Sequence, residues 1–238
     1  MAESRKRAPP VQDSISRVTR FAARPRNYRK AISAICSTIR LTGPDTRPSR
    51  RIPMAQISGI SVLDAVNAVK ARIGEQDFAR IVEQLGGEAK TIFSEPIQSW
   101  KWYPLDAFVE FLETDIRETA HGDREVLITR SEKVVESQLH GIYGIVVKLG
   151  SPEFVIKRIA TVHASYFQGI QIIPEIEDYP KAVIKYLGFE KHHDILEYVL
   201  IGFYRKALEI CGAKQVAVKF TVPISAGAAF SELTITWA

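Results

Sequence analysis

Only two cysteines, Cys36 and Cys211, occur in the chain, and neither has a CxxC spacing or a partner set for zinc. A disulfide framework and a thiolate metal centre are therefore not suggested, and a reducing cytoplasm is the expected setting. No uninterrupted apolar run approaches the roughly 18 residues that span a bilayer. The longest, Ile142 to Leu149, is broken by Gly144 and Lys148, so a soluble protein without a membrane partner is expected. Also missing are a GxSxG elbow, a Walker loop, a GxGxxG after a strand and an HExxH. These absences remove many common enzyme classes and tilt the reading toward a non-catalytic protein.

Positive charge is plentiful but confined. Residues 1–53 carry 13 Lys/Arg against Glu3, Asp13 and Asp45, which leaves 19 basic and 24 acidic side chains in the remaining 185 residues. The leader is rich in Arg, Ser and Pro, as in Arg5-Lys6-Arg7 and Arg47-Pro48-Ser49-Arg50-Arg51, and such a composition buries too little apolar surface to offset its ordering entropy. A disordered leader over 1–53 and one domain over 54–238 are therefore expected, with Met54 an alternative start of translation. A nucleic-acid arm, a transit peptide and a membrane-surface patch all fit the leader's charge. Its few aromatics, Phe21 and Tyr28, give base stacking little support.

From Met54 onward the apolar spacing predicts helices first and strands later. Ser61 is expected to cap a helix carrying Val62, Leu63, Val66, Val69 and Ile73, ended by Gly74; Phe78 to Leu85 forms a second. An irregular loop over Ile92 to Tyr103 precedes a third helix starting at Pro104. A fourth runs from about Asp123 to Leu139, and a fifth from Ser151 to about Gln168. The period then changes to two, with strands over Ile170 to Ile176 and Ala182 to Phe189, a long helix from about His192 to Cys211, and two closing strands. Val216, Val218, Phe220 and Val222 share one face of the first closing strand; Leu233, Ile235 and Trp237 share one face of the second. The expected fold is α+β, with N-terminal helices packed on one face of a C-terminal antiparallel sheet of about four strands.

Three groups of residues are candidates for chemistry. His192, His193, Asp194 and Glu197 could align an imidazole and a carboxylate on one helical face, although two ligands make no site and no metal is expected. His163 falls beside the buried stripe of its helix, with Tyr166 and Phe167 one turn on, where a histidine serves as a packed core group, a haem ligand or a titrating switch. Trp100, Trp102 and Tyr103 offer rings that pack a loop, line an apolar pocket or anchor a partner. Phe203, on the long helix beside Gly202, completes the candidate pocket.

The run Ala182-Val183-Ile184-Lys185-Tyr186-Leu187-Gly188, the helix ending Cys211-Gly212-Ala213-Lys214 and the closing Glu232-Leu233-Thr234-Ile235-Thr236-Trp237 resemble the 4-vinyl reductase-like domain. With Trp102-Tyr103-Pro104 and Ser151-Pro152 included, the chain is similar to short bacterial proteins that occur as paralogues in myxobacteria. That resemblance implies the fold of haem nitric-oxide sensors and transport-protein-particle subunits, with a pocket between helices and sheet and a frequent dimeric state. Val222 to Phe230 contains neither Cys nor His, and no Tyr-x-Ser-x-Arg signature of the haem sensors appears, so no cofactor is expected.

The leading expectation is a sensory or scaffold domain in a bacterial regulatory pathway, taking a small apolar ligand or a protein partner, with a homodimer among its assemblies. The alternatives are a haem-dependent gas sensor or enzyme using His163, and nucleic-acid binding through the leader. Leader-borne binding predicts a DNA affinity that falls steeply with salt and vanishes when the chain begins at Met54, measured by fluorescence anisotropy.

Overall fold

The computed structural model describes residues 54–138, 151–177 and 179–238, all within the unit Arg51–Ala238. The expectations for 1–53 and for a helix continuing toward Leu149 lie outside the described residues. Chain order is β1 (Gln56–Ser58), α1 (Gly59–Gln84), α2 (Gly87–Ser94), β2 (Trp102–Pro104), α3 (Leu105–Ala120), α4 (Val126–Gln138), α5 (Pro152–His163) and β3 (Phe167–Gln168). Then follow β4 (Gln171–Ile176), β5 (Lys181–Leu187), α6 (Leu196–Ile210), β6 (Ala217–Val222) and β7 (Ser231–Thr236). This is the expected α+β order, helices first and a four-stranded antiparallel sheet last.

The sheet order is β4-β5-β7-β6, antiparallel throughout. Ala182, Ile184 and Tyr186 of β5 lie opposite Ile235, Leu233 and Ser231 of β7. Their period-two spacing puts them on one face, where all but Ser231 are wholly excluded from solvent. Val155 and Ile156 of α5 and Leu200, Tyr204 and Leu208 of α6 cover that face. A second cluster, centred on Phe78, Phe93 and Phe111, joins α1, α2 and α3, with Phe93 stacked on Phe111 at 4.4 Å between ring centres.

Four local expectations change. The cap of α1 is Ser58, not Ser61: the Ser58 Oγ accepts from the Ser61 N–H at 3.4 Å. Trp102 to Pro104 is not irregular but a strand that pairs antiparallel with β1, and Phe167–Gln168 pairs with the other edge of β1. The fifth helix therefore stops at His163 rather than Gln168, because the following backbone goes to β1; the Ser58 N–H donates to the Tyr166 carbonyl at 2.8 Å. Likewise the long helix starts at Leu196, preceded by a 3-10 turn over Lys191–His193.

Two glycines shape the helices, one by breaking the backbone and one by allowing a close approach. Gly74, at φ 82°, breaks α1 into two helical pieces, as its place between two apolar stripes predicts. Gly202 has helical backbone, but a Cβ there would lie 2.2 Å from the Ile128 carbonyl oxygen and 2.9 Å from the Ser131 Cβ. α4 and α6 thus meet almost backbone to backbone, and the Ser131 hydroxyl donates to the Val199 carbonyl at 2.8 Å. A Gly202→Ala substitution is expected to cost about 1–3 kcal/mol despite alanine's better helix propensity, checked by urea unfolding.

Candidate functional site

A cavity of about 480 Å³ lies among the helices, a volume in the usual range for small-molecule sites. Each wall is one stripe of a helix, read off at three- and four-residue spacing. Ser61, Ala65, Val69 and Arg72 come from α1; Phe108, Leu112 and Asp115 from α3; Leu127, Arg130, Ser131 and Val134 from α4; Leu196, Val199, Leu200 and Phe203 from α6. Ile57, His163, Tyr166 and Phe167 also line it, and Ile57 and Phe167 are paired across β1 and β3. Arg72 lies about 20 Å along the α1 axis from Gly59, where the helix leaves β1, so the aromatic group and Arg72 stand far apart.

His163 ends α5 and is 1% exposed. Rings of Phe203, Tyr204, Phe167, Tyr186 and Tyr166 surround it at 5.0 to 6.4 Å. Burial pushes its pKa down to about 3, so the imidazole is neutral at ordinary pH. The Tyr186 hydroxyl donates to the Tyr204 oxygen at 2.5 Å, and the Tyr204 oxygen lies 3.1 Å from His163 Nδ1. A phenol oxygen has two lone pairs, so Tyr204 takes the Tyr186 proton and either donates to Nδ1 or accepts from it according to the imidazole tautomer. Burial raises both phenol pKa values, so the relay stays protonated.

An ionic group forms another part of the wall. Asp115, whose side chain is 2% exposed, accepts from Arg72 at 2.6 Å through one carboxylate oxygen and from Arg130 at 2.8 Å through the other. The Thr119 hydroxyl donates to the Asp115 carbonyl at 2.6 Å, and Arg130 in turn reaches the Thr119 oxygen at 3.2 Å. Sequence reasoning missed this group. The available signal was Asp115 itself, a carboxylate at the apolar spacing of Phe108 and Leu112 on α3.

The structure gathers His163, Tyr166, Phe167 and Phe203 at one cavity and leaves the other aromatic candidates elsewhere. Trp100 is 76% exposed, while Trp102 and Tyr103 belong to β2, where Tyr103 accepts from the Gln98 N–H at 2.8 Å. The polar turn likewise assembles differently from expectation. Asp194 pairs with Arg124 at 2.9 Å and Glu197 accepts from the Ser225 N–H at 3.0 Å. Asp106 instead faces both histidines, 3.0 Å from His192 Nε2 and 2.7 Å from His193 Nε2. These three groups have metal-like spacing, but the Glu190 N–H donates to His193 Nδ1 at 2.9 Å. That fixes the proton on His193 Nε2, directed at Asp106, so the trio is a hydrogen-bonded tie between the turn and α3. Burial works to raise the Asp106 pKa, yet the bonds from His193 and His192 outweigh it and hold the carboxyl low.

No family model matches this chain, and no curated relative does. Solved structures do. An H-NOX protein from S. oneidensis in its Fe(II)NO ligation state superposes with a TM-score of 0.60 at 13% identity, covering 76% of this chain and 99% of that one. The Fe(II) unliganded H-NOX protein from K. algicida gives 0.59 at 13%, covering 76% and 97%. An oxygen-binding H-NOX domain related to soluble guanylate cyclases gives 0.56 at 9%, covering 76% and 95%. The chain therefore has the fold of the haem nitric-oxide and oxygen sensors.

Several of those structures hold haem iron, and His163 is the histidine that lines the cavity of this chain. An iron ligand needs a free imidazole lone pair, and second-shell groups normally accept the other ring N–H. Tyr204 can accept an Nδ1 proton and leave the Nε2 lone pair free, so the hydrogen bonding at His163 admits an axial ligand, while the Tyr-x-Ser-x-Arg signature of the haem sensors is missing from the sequence.

The buried imidazole also sets a pH dependence. Unfolded, His163 takes a proton near pH 6.5; folded, it refuses one until about pH 3. Its contribution is complete above pH 6.5 and is lost as pH falls toward 3, at about 1.4 kcal/mol per pH unit. His163→Gln is expected to flatten acid destabilisation by that slope, read from urea midpoints between pH 4 and 7; an unchanged slope would contradict the burial.

Proposed function

We propose that this chain is a non-catalytic sensory domain whose helical cavity encloses a small apolar molecule. The observation that carries the reading is the cavity itself: helical stripes supply mainly apolar walls, and His163 contributes a buried neutral imidazole. Its likeness to H-NOX structures, some of them solved with NO or oxygen bound, supports a role in sensing a small ligand. The missing Tyr-x-Ser-x-Arg signature favours an organic ligand over haem. Among its nucleophiles, Cys211 has its thiol pKa pushed up by burial and its Sγ directed at the Leu208 carbonyl, which suits packing rather than reaction. The finer kinship with 4-vinyl reductase-like domains, a cytoplasmic setting and a homodimer belong to the same proposal.

The neutral dye N-phenyl-1-naphthylamine tests the cavity. Its fluorescence is expected to rise on adding the full chain, and Ala65→Trp, which fills the α1 wall, is expected to abolish the rise. An equal response from both proteins would sink the reading. Titration with haemin under reducing conditions is expected to give no histidine-ligated Soret band; a band that disappears in His163→Ala would restore the haem alternative.

A further inference from the structure

We infer that the cavity selects a ligand with one negative charge on an apolar body, a carboxylate whose head binds between Arg72 and Arg130. This deepens the proposed function and rests on it. The two guanidinium groups share a single buried carboxylate, so among the described residues the trio keeps one uncompensated positive charge on the cavity wall. Their side chains are 30% and 23% exposed, open enough for a ligand and dry enough for charge to matter. A guanidinium carries five N–H donors, and the described bonds use one from Arg72 and two from Arg130. The remaining donors suit a carboxylate, which matches their planar geometry.

The charge balance at Arg130 points the same way. Burial lowers its pKa, Asp115 offsets part of this, and the like charge of Arg72 adds to the lowering, so a further anion would relieve a strained cation. Lys133 also borders the cavity but is exposed, where solvent screens it. One surplus charge favours a monoanion, and a dianion would meet Asp115. Apolar side chains of α1, α3 and α4 lead from this ionic group toward Phe167 and His163, about 20 Å along α1, which accommodates an extended hydrocarbon body.

The test uses the full chain loaded with N-phenyl-1-naphthylamine and compares displacement by decanoate and by decan-1-ol, equal in chain length and different in charge. Decanoate is expected to displace the dye at about tenfold lower concentration. Arg130→Gln is expected to bring that ratio near one, and Asp115→Asn, which keeps the shape and an acceptor for Arg72, to raise it above the parent value. If Arg130→Gln does not fold, Asp115→Asn decides alone, because a merely structural Asp115 would not increase selectivity for an anion. Equal displacement by acid and alcohol in the parent chain, or a lower ratio in Asp115→Asn, overturns the inference while leaving the apolar cavity intact. Failure of the dye to bind at all removes the underlying reading as well.

Discussion

Asp115 is the carboxylate on which the helical half of the molecule depends. One oxygen receives Arg72 from α1 and the other receives Arg130 from α4, so a single side chain on α3 locks three helices in register. An isolated buried carboxylate would be costly, and a lone buried guanidinium equally so. Together they are tolerable, and the cost of removing any one member explains why a charged group can sit within an apolar stripe. These ion pairs join the three helices at the cavity wall, beside the apolar cluster that packs α1 against α3.

His163 is the corresponding device on the sheet side. Its ring is buried among aromatics contributed by α6, β3 and β5, and the Tyr186 to Tyr204 relay makes its hydrogen-bonding state a property of the sheet. A strand residue, a helix residue and a helix terminus are thereby coupled through two short bonds. The fold matches that of the H-NOX structures, and Tyr204 engages His163 Nδ1 whichever tautomer the ring holds.

Much of the architecture was legible because it is periodic. The alternation from Gln171 to Leu187 and from Ser231 to Thr236 announced the sheet, and Gly74, Gly86 and Gly212 punctuated the helices. β1, β2 and β3 were not legible: strands of two or three residues show no period, and their existence depends on pairing with backbone far away in sequence. The site divides along the same line. His163, Tyr166, Phe167 and Phe203 stood out through local aromatic density, whereas Trp100 had the same density and lies at the surface. Arg72 and Arg130 read as unremarkable surface charge on separate helices, and only their convergence on Asp115, itself out of place in an apolar stripe, gives them meaning.

The bare backbone contact at Gly202 bears on how the cavity changes size. α4 and α6 touch where a carbonyl of one occupies the place of a side chain on the other, so they form a fixed jaw, unable to slide without collision. Both helices wall the cavity, which shifts any accommodation of a guest to the facing helix. α1 is suited to that part, since its backbone is already interrupted at Gly74, two residues beyond Arg72. A guest held by Arg72 would thus pull on the piece from Gly59 to Ile73, with Gly74 as the point where that piece can turn against the remainder of the helix.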